Sequence, residues 1–244
     1  VDQLFVIFPF ECKYFPKHGI EPVFEGNPLV DAIEHRRKSL PSREEFVAER
    51  GLDERPIVAL LAGSRRGEIS DNLPMMADLA RQFPGMQFVV AGVPWIDRAL
   101  YAKAIGDAPV RYLCDCTYEL LHSASAAIVT SGTATLETAL FGVPEVVVYR
   151  TLWINIKLRP YVLKVPYVSL VNLNLGRESV REIIQSGYDT AEAVAELRAI
   201  LPGGGKRQRM LDDFDELRRI IGGPGASDRF ARRMVDELKK PANK

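Results

Sequence analysis

The most informative part of this chain is Thr130-Ser131-Gly132-Thr133-Ala134-Thr135-Leu136-Glu137. It follows an apolar run at 126–129 and opens a helical segment that ends near Gly142. A buried strand therefore leads through a turn of small residues into the N-terminus of a helix. The backbone N–H groups of a first helical turn lack intrahelical acceptors, and the helix dipole adds partial positive charge behind them. The stretch is thus typical of a site for an anion such as a diphosphate.

Side chains in this stretch extend the same interpretation. Gly132 lets a ligand approach the backbone closely, and Ser131 and Thr133 add hydroxyl groups. Glu137 follows one turn later, in reach of a ribose diol. The alternative is an ordinary helix start, since Ser and Thr often cap helices and an early Glu gains from the dipole. Glu137 does not complete a capping box, however, because the residue three positions earlier is Ala134.

A second segment points to the same kind of ligand. The short apolar run Ile57–Ala62 is of the buried-strand type and leads directly into Gly63-Ser64-Arg65-Arg66-Gly67-Glu68. Open parallel sheets bind ligands at the carboxyl ends of their strands, and the forked guanidinium of Arg65 matches phosphate oxygens there. An exposed turn with solvated arginines is the alternative for this segment taken alone.

Composition limits the other classes of function. With 244 residues, 47% of them hydrophobic, the chain has room for one large domain or two small ones. Lys and Arg total 32, as do Asp and Glu, so no overall positive charge indicates nucleic acid as a partner. No apolar run reaches the roughly 20 residues that cross a bilayer. The chain does not begin with Met, and we expect it to be a fragment of a longer protein.

The three cysteines predict a reducing compartment. Cys114 and Cys116 flank Asp115, whereas Cys12 stands apart, and this spacing does not suggest a disulfide framework. One Cys-x-Cys pair and three scattered histidines supply too few metal ligands, so we predict neither a metal nor another cofactor.

Strand-like and helix-like segments alternate along most of the chain. The predicted strands are Leu4–Phe8, Ile57–Ala62, Gln87–Ala91, Val110–Leu113, Ala126–Thr130, Val146–Tyr149 and Tyr167–Leu170. The predicted helices between them are Leu73–Phe83, Trp95–Ala104, Thr117–Ser123, Thr133–Phe141 and Leu152–Leu163. Asp71 or Asn72 is expected to cap the first of these helices. The alternation predicts an α/β fold with a Rossmann-like doubly wound parallel sheet, and the first strand looks detached from it.

The character of the sequence changes after Gly176. The helices predicted in this part are Glu178–Gln185, Ala191–Leu201, Lys206–Ile221 and Asp228–Leu238. Glycine-rich segments at 203–205 and 222–225 separate the last three, and we expect them to act as hinges for a helical C-terminal tail. The acidic cluster Asp212-Asp213-Phe214-Asp215 resembles the metal-binding DxD of some glycosyltransferases, although a solvated helix face explains it better.

The segment from Val146 to Arg177 contains five basic residues and no acidic ones, with aromatic residues between them. This composition suits an anionic membrane surface or a phosphorylated substrate. A core-facing helix with a solvated basic side is the alternative.

Five segments together resemble the lipid-A-disaccharide synthase family of inverting glycosyltransferases. In chain order they are Phe8-Pro9-Phe10-Glu11, Gly26-Asn27-Pro28-Leu29-Val30-Asp31, Gly63-Ser64-Arg65-Arg66-Gly67-Glu68-Ile69, Thr130–Glu137, and Tyr167-Val168-Ser169-Leu170-Val171-Asn172 with Gly176-Arg177-Glu178 after it. The resemblance covers nearly the whole chain and is weakest after Pro202. Where the family usually has Leu-Pro-Asn, this chain has Leu170-Val171-Asn172, which keeps the asparagine.

The resemblance implies a GT-B fold, in which the active site lies between two Rossmann-like domains. The family transfers 2,3-diacylglucosamine from its UDP derivative to 2,3-diacylglucosamine 1-phosphate, and the products are UDP and the β-1,6-linked disaccharide precursor of lipid A. The implied division is the end of the N-terminal acceptor domain with a linker at 1–30, the UDP-sugar-binding domain at 31–202, and the helical tail at 203–244. The family's proposed general base lies in the other domain, so we assign no base here and expect this chain to be inactive alone.

The resemblance also implies a donor site, whose predicted residues are Gly63, Ser64, Arg65, Ser131, Gly132, Thr133, Glu137, Asn172 and Arg177. Arg65 and the N–H groups at 131–133 would stabilise the departing diphosphate without a metal. Glu137 would accept the ribose hydroxyls, and the loop at 113–116 would meet the uracil. Asn172 and Arg177 would line the site in this subunit or in a partner.

The implied partners are the two acylated sugars, a membrane surface, and a second copy of the chain bound through the tail. The implied location is the cytoplasm, on the inner face of the inner membrane. Two alternatives remain open. One is another UDP-sugar enzyme, such as the undecaprenyl-linked N-acetylglucosaminyltransferase of cell-wall synthesis or a UDP-sugar epimerase. The other is a non-catalytic UDP-sugar-binding module.

Overall fold

A six-stranded parallel sheet forms the centre of the computed structural model, which describes residues 3–150, 167–185 and 190–239. The strands in this described part are β1 (Leu4–Val6), β2 (Pro22–Phe24), β3 (Ile57–Leu61), β4 (Gln87–Gly92), β5 (Val110–Cys114), β6 (Ala126–Thr130), β7 (Glu145–Arg150) and β8 (Arg181–Gln185). The helices are α1 (Glu11–Tyr14), α2 (Pro28–Arg37), α3 (Arg43–Glu49), α4 (Arg66–Leu79), α5 (Arg98–Ile105), α6 (Thr117–Ser123), α7 (Thr133–Phe141), α8 (Leu170–Leu175), α9 (Ala191–Ile200), α10 (Arg207–Ile221) and α11 (Ala226–Leu238). Two 3-10 turns lie at Phe15–His18 and Ala80–Gln82.

The strand order across the large sheet is β5-β4-β3-β6-β7-β8, and all neighbouring strands are parallel. In this doubly wound order the chain moves from β3 to one edge, returns to β6 beside β3, and then moves to the other edge. The loops that follow β3 and β6 therefore turn away from each other at the carboxyl ends of the strands and leave a crevice between them. The predicted Rossmann-like α/β fold is confirmed.

Burial explains why the central strands were recognisable as apolar runs. Every residue of β3, β4 and β6 is buried, because helices cover both faces of the sheet. Strands of this kind show no alternation of apolar and polar residues, and their lengths and flanking turns identify them instead.

Two predicted elements near the last strand are wrong. The segment Tyr167–Leu170 is not a strand, because Ser169 caps α8 and its Oγ accepts the N–H of Asn172 at 3.2 Å. The segment Glu178–Gln185 is not a helix, because its second part forms β8 and pairs with β7 along the whole strand. Pairing with a sheet edge depends on tertiary structure, and here it outweighs the local helix propensity of this charged segment.

Helix α4 begins seven residues before the predicted start at Leu73, since its first residue is Arg66. The expected caps Asp71 and Asn72 therefore lie inside the helix, as does Pro74. The predicted helix at 152–163, which carries much of the basic segment, lies outside the described residues. None of the helices in the described part is both long and apolar enough to cross a membrane.

Helix α10 belongs to the core of the sheet domain. Its buried face is Met210, Phe214, Leu217 and Ile221, which pack in the same apolar cluster as β7 and β8. The glycines before α10 form a tight turn, in which a Cβ on Gly204 would lie 2.2 Å from the carbonyl oxygen of Ala199. The expectation of a hinge at 203–205 is therefore wrong.

The N-terminal residues lie against α11. Strands β1 and β2 form a separate two-stranded parallel sheet, and Asn27 caps α2 immediately after it. The Asp31 carboxylate accepts the N–H of Gly225, and the ring of Phe5 packs edge-on against Phe230 at 5.8 Å between centroids. The division of the chain at residues 30 and 202 stays a prediction.

Candidate functional site

A pocket of about 360 Å³ lies at the carboxyl ends of β3 and β6, where the strand order reverses. The residues that line it are Leu61, Gly63, Ser64, Arg65, Glu68, Ala91, Val93, Thr117, Thr130, Ser131, Gly132, Thr133, Ala134 and Glu137. The turn after β3 thus faces the N-terminus of α7, which follows β6. The structure brings the predicted residues of both motifs into one pocket, and its volume is within the usual range for small-molecule sites.

The N-terminus of α7 is open to the pocket. Gly132 occupies the N-cap position with a φ of 151°, and it has no side chain that would cap the helix. Thr135 stabilises this turn by donating its hydroxyl to the Gly132 carbonyl at 2.8 Å. The hydroxyl of Ser131 donates to the carbonyl of Val168 at 2.9 Å, so Ser131 ties this turn to the segment before α8. Its hydroxyl proton is therefore directed away from a pocket ligand, unlike the expectation from sequence.

The turn between β3 and α4 is organised by Glu68, which sequence reasoning missed. Its carboxylate accepts the backbone N–H groups of Ser64 at 3.0 Å and Arg65 at 3.3 Å, and the Arg65 guanidinium at 2.7 Å. Gly63 has a φ of +98°, and a Cβ there would lie 2.4 Å from a Glu68 carboxylate oxygen. The signal available in the sequence was the Glu three residues after the helix start, the spacing of a capping box.

Arg65 places an exposed positive charge at the rim of the pocket. Its side chain is 82% exposed, although it pairs with Glu68. An exposed pair of this kind is weak, so a ligand phosphate can replace the carboxylate as the partner of the guanidinium. Among the described lining residues, Arg65 has the only basic side chain, and Glu68 and Glu137 have acidic ones. The α7 N-terminus must therefore supply much of the attraction for an anion.

Glu137 is held in position by Tyr118, a second residue that sequence reasoning missed. The Tyr118 hydroxyl donates to Glu137 Oε1 at 2.7 Å, and the Tyr118 ring packs on Phe141 at 5.3 Å between centroids. Burial and then the interaction with Glu137 raise the pKa of Tyr118 well above its usual value, so the hydroxyl stays a donor at neutral pH. Glu137 thus has one oriented oxygen and a second one available to accept from a ligand. No local pattern around Tyr118 indicated this contact, which joins two different helices.

Asn172 does not reach this pocket. It is fully buried, and its Nδ2 donates to the Val180 carbonyl at 2.8 Å and to Glu182 at 3.0 Å. Its Oδ1 accepts the N–H groups of Ser179 at 2.8 Å and Val180 at 3.0 Å. In this structure Asn172 therefore connects α8 to the start of β8.

Arg177 does not reach the pocket either. Its guanidinium contacts the carboxylates of Asp213 at 2.6 Å and Glu216 at 2.7 Å, both on α10. Hydrogen bonds to Glu216 and Asp213 raise the pKa of Arg177 further above its usual value. Asp213 is buried in this contact, so the acidic cluster on α10 is not simply a solvated helix face.

The loop after β5 approaches the pocket through its last part. Thr117, the first residue of α6, lines the pocket, whereas Cys114 is exposed and Cys116 is buried. Burial raises the pKa of the Cys116 thiol to about 11, so the thiol stays protonated. Asp115 adopts a φ of +54° in this turn. The prediction that uracil contacts residues 113–116 stays a prediction.

The strand order and the crevice at its reversal define a Rossmann-like α/β domain of the kind found in GT-B proteins. A UDP-GlcNAc 2-epimerase from Neisseria meningitidis bound to UDP-GlcNAc has a TM-score of 0.62 at 14% identity, with 96% of this chain and 61% of that chain covered. Sucrose-phosphate synthase from Thermosynechococcus elongatus has a TM-score of 0.56 at 16% identity, with 98% and 58% covered. Similarities at these identities show the fold alone.

Sequence comparison gives the family. The family model for lipid-A-disaccharide synthetase matches residues 1–222. Lipid-A-disaccharide synthases of Syntrophus aciditrophicus and Myxococcus xanthus are 34% and 35% identical to this chain, and each match covers 98% of it. The chain belongs to the lipid-A-disaccharide synthase family. It spans 64% and 63% of the lengths of these two relatives.

Proposed function

We propose that this chain binds the UDP part of a sugar nucleotide in the pocket between the β3–α4 turn and α7. The diphosphate lies against the N-terminus of α7 and the Arg65 guanidinium, and the ribose hydroxyls donate to Glu137. One observation carries the proposal: the two sequence motifs, which begin at Gly63 and Thr130, meet at the point where the strand order reverses.

The reaction that we propose is the one of the family. A 2,3-diacylglucosamine unit moves from UDP to 2,3-diacylglucosamine 1-phosphate, and this chain supplies the donor-binding part. Family membership favours this glycosyl transfer over an epimerase or a non-catalytic binding module. The general base is unassigned. Asn172 and Arg177 do not line the pocket in this chain, and their contribution to a donor site in a partner subunit stays a prediction.

The residues of the pocket explain how UDP would leave. When the bond between the sugar carbon and the diphosphate oxygen breaks, the sugar gains oxocarbenium character and negative charge grows on the diphosphate. The N-terminus of α7 is already in place to stabilise that charge, and the Arg65 guanidinium adds to it after exchanging Glu68 for the phosphate. The acceptor hydroxyl oxygen forms the new bond on the opposite face of the sugar, which inverts the configuration, and its proton passes to the general base as UDP leaves.

Calorimetric titration with UDP in excess EDTA tests the nucleotide site and its independence of metal. We expect UDP to bind equally well with EDTA and with added Mg²⁺, since N–H groups and Arg65 supply the complementary charge. Binding that disappears on chelation would contradict the metal-free arrangement. Absence of UDP binding under both conditions would contradict the site itself.

We also propose that the chain works at the inner face of the inner membrane, because both of its acylated substrates are lipids. The basic segment of residues 146–177 is the candidate membrane contact. Sedimentation with anionic and neutral vesicles tests this proposal.

Helix α11 is the candidate dimer contact. The side chains of Met234, Val235 and Leu238 on α11 are exposed, which supports an interaction of this helix with a further surface. The effect of Leu238→Glu on the solution mass tests this second proposal.

A further inference from the structure

The ring of Phe141 lies behind the hydrogen-bonded pair of Tyr118 and Glu137. Phe141 is the last residue of α7 and comes four residues after Glu137, so the two side chains project from the same side of this helix. The Tyr118 and Phe141 rings are 5.3 Å apart between centroids, with 50° between their planes. Phe141 is only partly buried, so its ring is held by a small number of neighbours. The direction of the Tyr118 hydroxyl therefore depends on where the Phe141 ring lies.

Arg37, on α2, holds the Phe141 ring in place. The Cζ atom of its guanidinium lies over the ring, 5.2 Å from the centroid, which is a cation–π contact. Its Nη2 also donates to the carbonyl of Leu140 at 2.9 Å, in the last turn of α7. A planar guanidinium that is stacked on a ring and bonded to the adjacent backbone is fixed in orientation. Arg37 thus connects α2 to the end of the helix that carries Glu137.

The neighbouring Arg36 connects α2 to α6. It forms an ion pair with Glu119, the residue that follows Tyr118. Successive residues of α2 therefore contact the two helices that share the hydrogen bond between Tyr118 and Glu137. The Arg36 side chain is half exposed, and pairs of this kind contribute little. We therefore assign the main effect to Arg37.

We propose that Arg37 is a positioning residue of the nucleotide site, which orients Glu137 through Phe141 and Tyr118 and thereby favours ligands that contain a ribose. The inference rests on the proposed function, because it uses the assignment of Glu137 to the ribose. Arg37 is not among the described residues that line the pocket, so it acts without touching the ligand. Without the guanidinium the two rings gain freedom, and a ligand must then order the Glu137 carboxylate itself, which weakens binding.

Calorimetric titration with UDP and with inorganic diphosphate tests this proposal on the parent chain and on two variants. Arg37→Ala should weaken UDP roughly two- to fivefold, the range of one cation–π contact near a surface. Diphosphate should bind as in the parent, which would also show that the pocket is folded. Phe141→Leu removes the ring and keeps an apolar side chain. It should show the same selective loss of UDP, and it tests the proposal independently if Arg37→Ala does not fold.

Arg218 is the matched control for a purely structural role. Its Nη2 also donates to the Leu140 carbonyl, at 3.1 Å, but it comes from α10, and in the described part of the chain it is not stacked on Phe141. Arg218→Ala should leave the ratio of the UDP and diphosphate affinities as it is in the parent. The same selective loss of UDP in Arg218→Ala would overturn the proposal, because bonding to the end of α7 would then explain the effect.

A double variant identifies the route through Tyr118. In a chain that already carries Tyr118→Phe, Arg37→Ala should have no further effect on UDP, because the hydrogen bond that it supports is absent. A full additional loss in the double variant would overturn the proposal, as would an unchanged affinity of Arg37→Ala for UDP. These outcomes leave the nucleotide site itself intact. A parent chain that binds no UDP would instead refute the proposed function, on which this assignment rests.

Discussion

At the scale of single residues, the proposed site depends on side chains that orient other side chains. Tyr118 holds Glu137 through a 2.7 Å hydrogen bond, so that the carboxylate is aimed before ribose arrives. Oriented groups lose little freedom on binding, and this lowers the entropic cost of recognition. The same pair also helps to explain how the half-buried carboxylate of Glu137 is tolerated near a site for an anion, since the phenol compensates part of its lost hydration.

Replacement of Tyr118 by Phe tests this orienting role. The ring keeps its contact with Phe141, and only the hydrogen bond to Glu137 is lost. We expect UDP to bind more weakly by about 0.5–1.5 kcal/mol, the usual net value of one hydrogen bond. Inorganic diphosphate, which has no ribose, should bind as before. Calorimetric competition between the two ligands measures the affinities for UDP and for diphosphate. A weaker affinity of the variant for diphosphate would contradict the assigned role of Tyr118.

Arg65 gives a second prediction at this scale. Arg65→Ala should weaken both UDP and inorganic diphosphate by roughly 1.5–3 kcal/mol, the range of hydrogen bonds to a charged group. Arg66 is the matched control, because it is also an exposed arginine and is the next residue in the chain. Arg66→Ala should leave both affinities close to those of the parent. Equal effects of the two substitutions would show that general charge, rather than the position of Arg65, attracts the ligand.

At the scale of secondary-structure elements, the β3–α4 turn and the first turn of α4 each contain a glycine. Replacement of the two glycines by alanine should have opposite effects on stability. Gly63 has a positive φ, and a Cβ there would collide with Glu68. Gly67 lies in the first turn of α4 with open space around its Cα. Gly63→Ala should lower the free energy of unfolding by about 1–2 kcal/mol and weaken UDP, whereas Gly67→Ala should raise stability by up to about 1 kcal/mol. Urea denaturation of both variants checks the contrast, which fails if Gly63→Ala is as stable as the parent.

The elements also show where sequence reasoning succeeds. The strands β3, β4 and β6 are fully buried apolar runs, and each could be recognised from its composition. The alternation with helices predicts a parallel doubly wound sheet, in which the turns at 63–65 and 131–133 both follow the carboxyl ends of strands at the same edge. The main features of the candidate pocket could thus be predicted without a structure.

The same reasoning fails where a residue acts through distant partners. The side chain of Glu182, on β8, accepts the N–H groups of Val168 and Ser169. The start of α8 is therefore held by a residue on a strand that comes later in the chain. Contacts of this kind decide that residues 181–185 form a strand, and no local pattern contains them. Tyr118 and Asn172 could not be assigned from sequence for the same reason, because their roles follow from neighbours on other elements.

At the scale of the whole molecule, one buried acid should control the pH dependence of stability. Glu145 begins β7 and is fully buried, and neither of its carboxylate oxygens has a hydrogen-bond partner among the described residues. Burial raises its pKa well above the usual value, so the folded state holds the proton to higher pH than the unfolded state does. As pH rises above about 4.3, the unfolded chain ionises first, and folding loses about 1.4 kcal/mol per pH unit until the folded pKa is reached.

Removal of this acid should therefore remove part of the pH dependence. Glu145→Gln should gain stability relative to the parent as pH rises from 5 towards 7, at a slope of up to about 1.4 kcal/mol per unit. Urea denaturation at several pH values measures the difference in the free energy of unfolding. Glu21→Gln, at an exposed position, should run parallel to the parent. Parallel curves for Glu145→Gln and the parent would show that Glu145 has no raised pKa in the folded state.

The central claim is that this chain recognises UDP by its ribose at Glu137 and by its diphosphate at α7 and Arg65. The most direct measurement is a calorimetric titration of Glu137→Ala and of the parent with UDP and with inorganic diphosphate, in EDTA. We predict that the variant binds UDP more weakly by roughly 1.5–3 kcal/mol and binds diphosphate like the parent. An unchanged affinity for UDP, or an equal loss for both ligands, would contradict the claim.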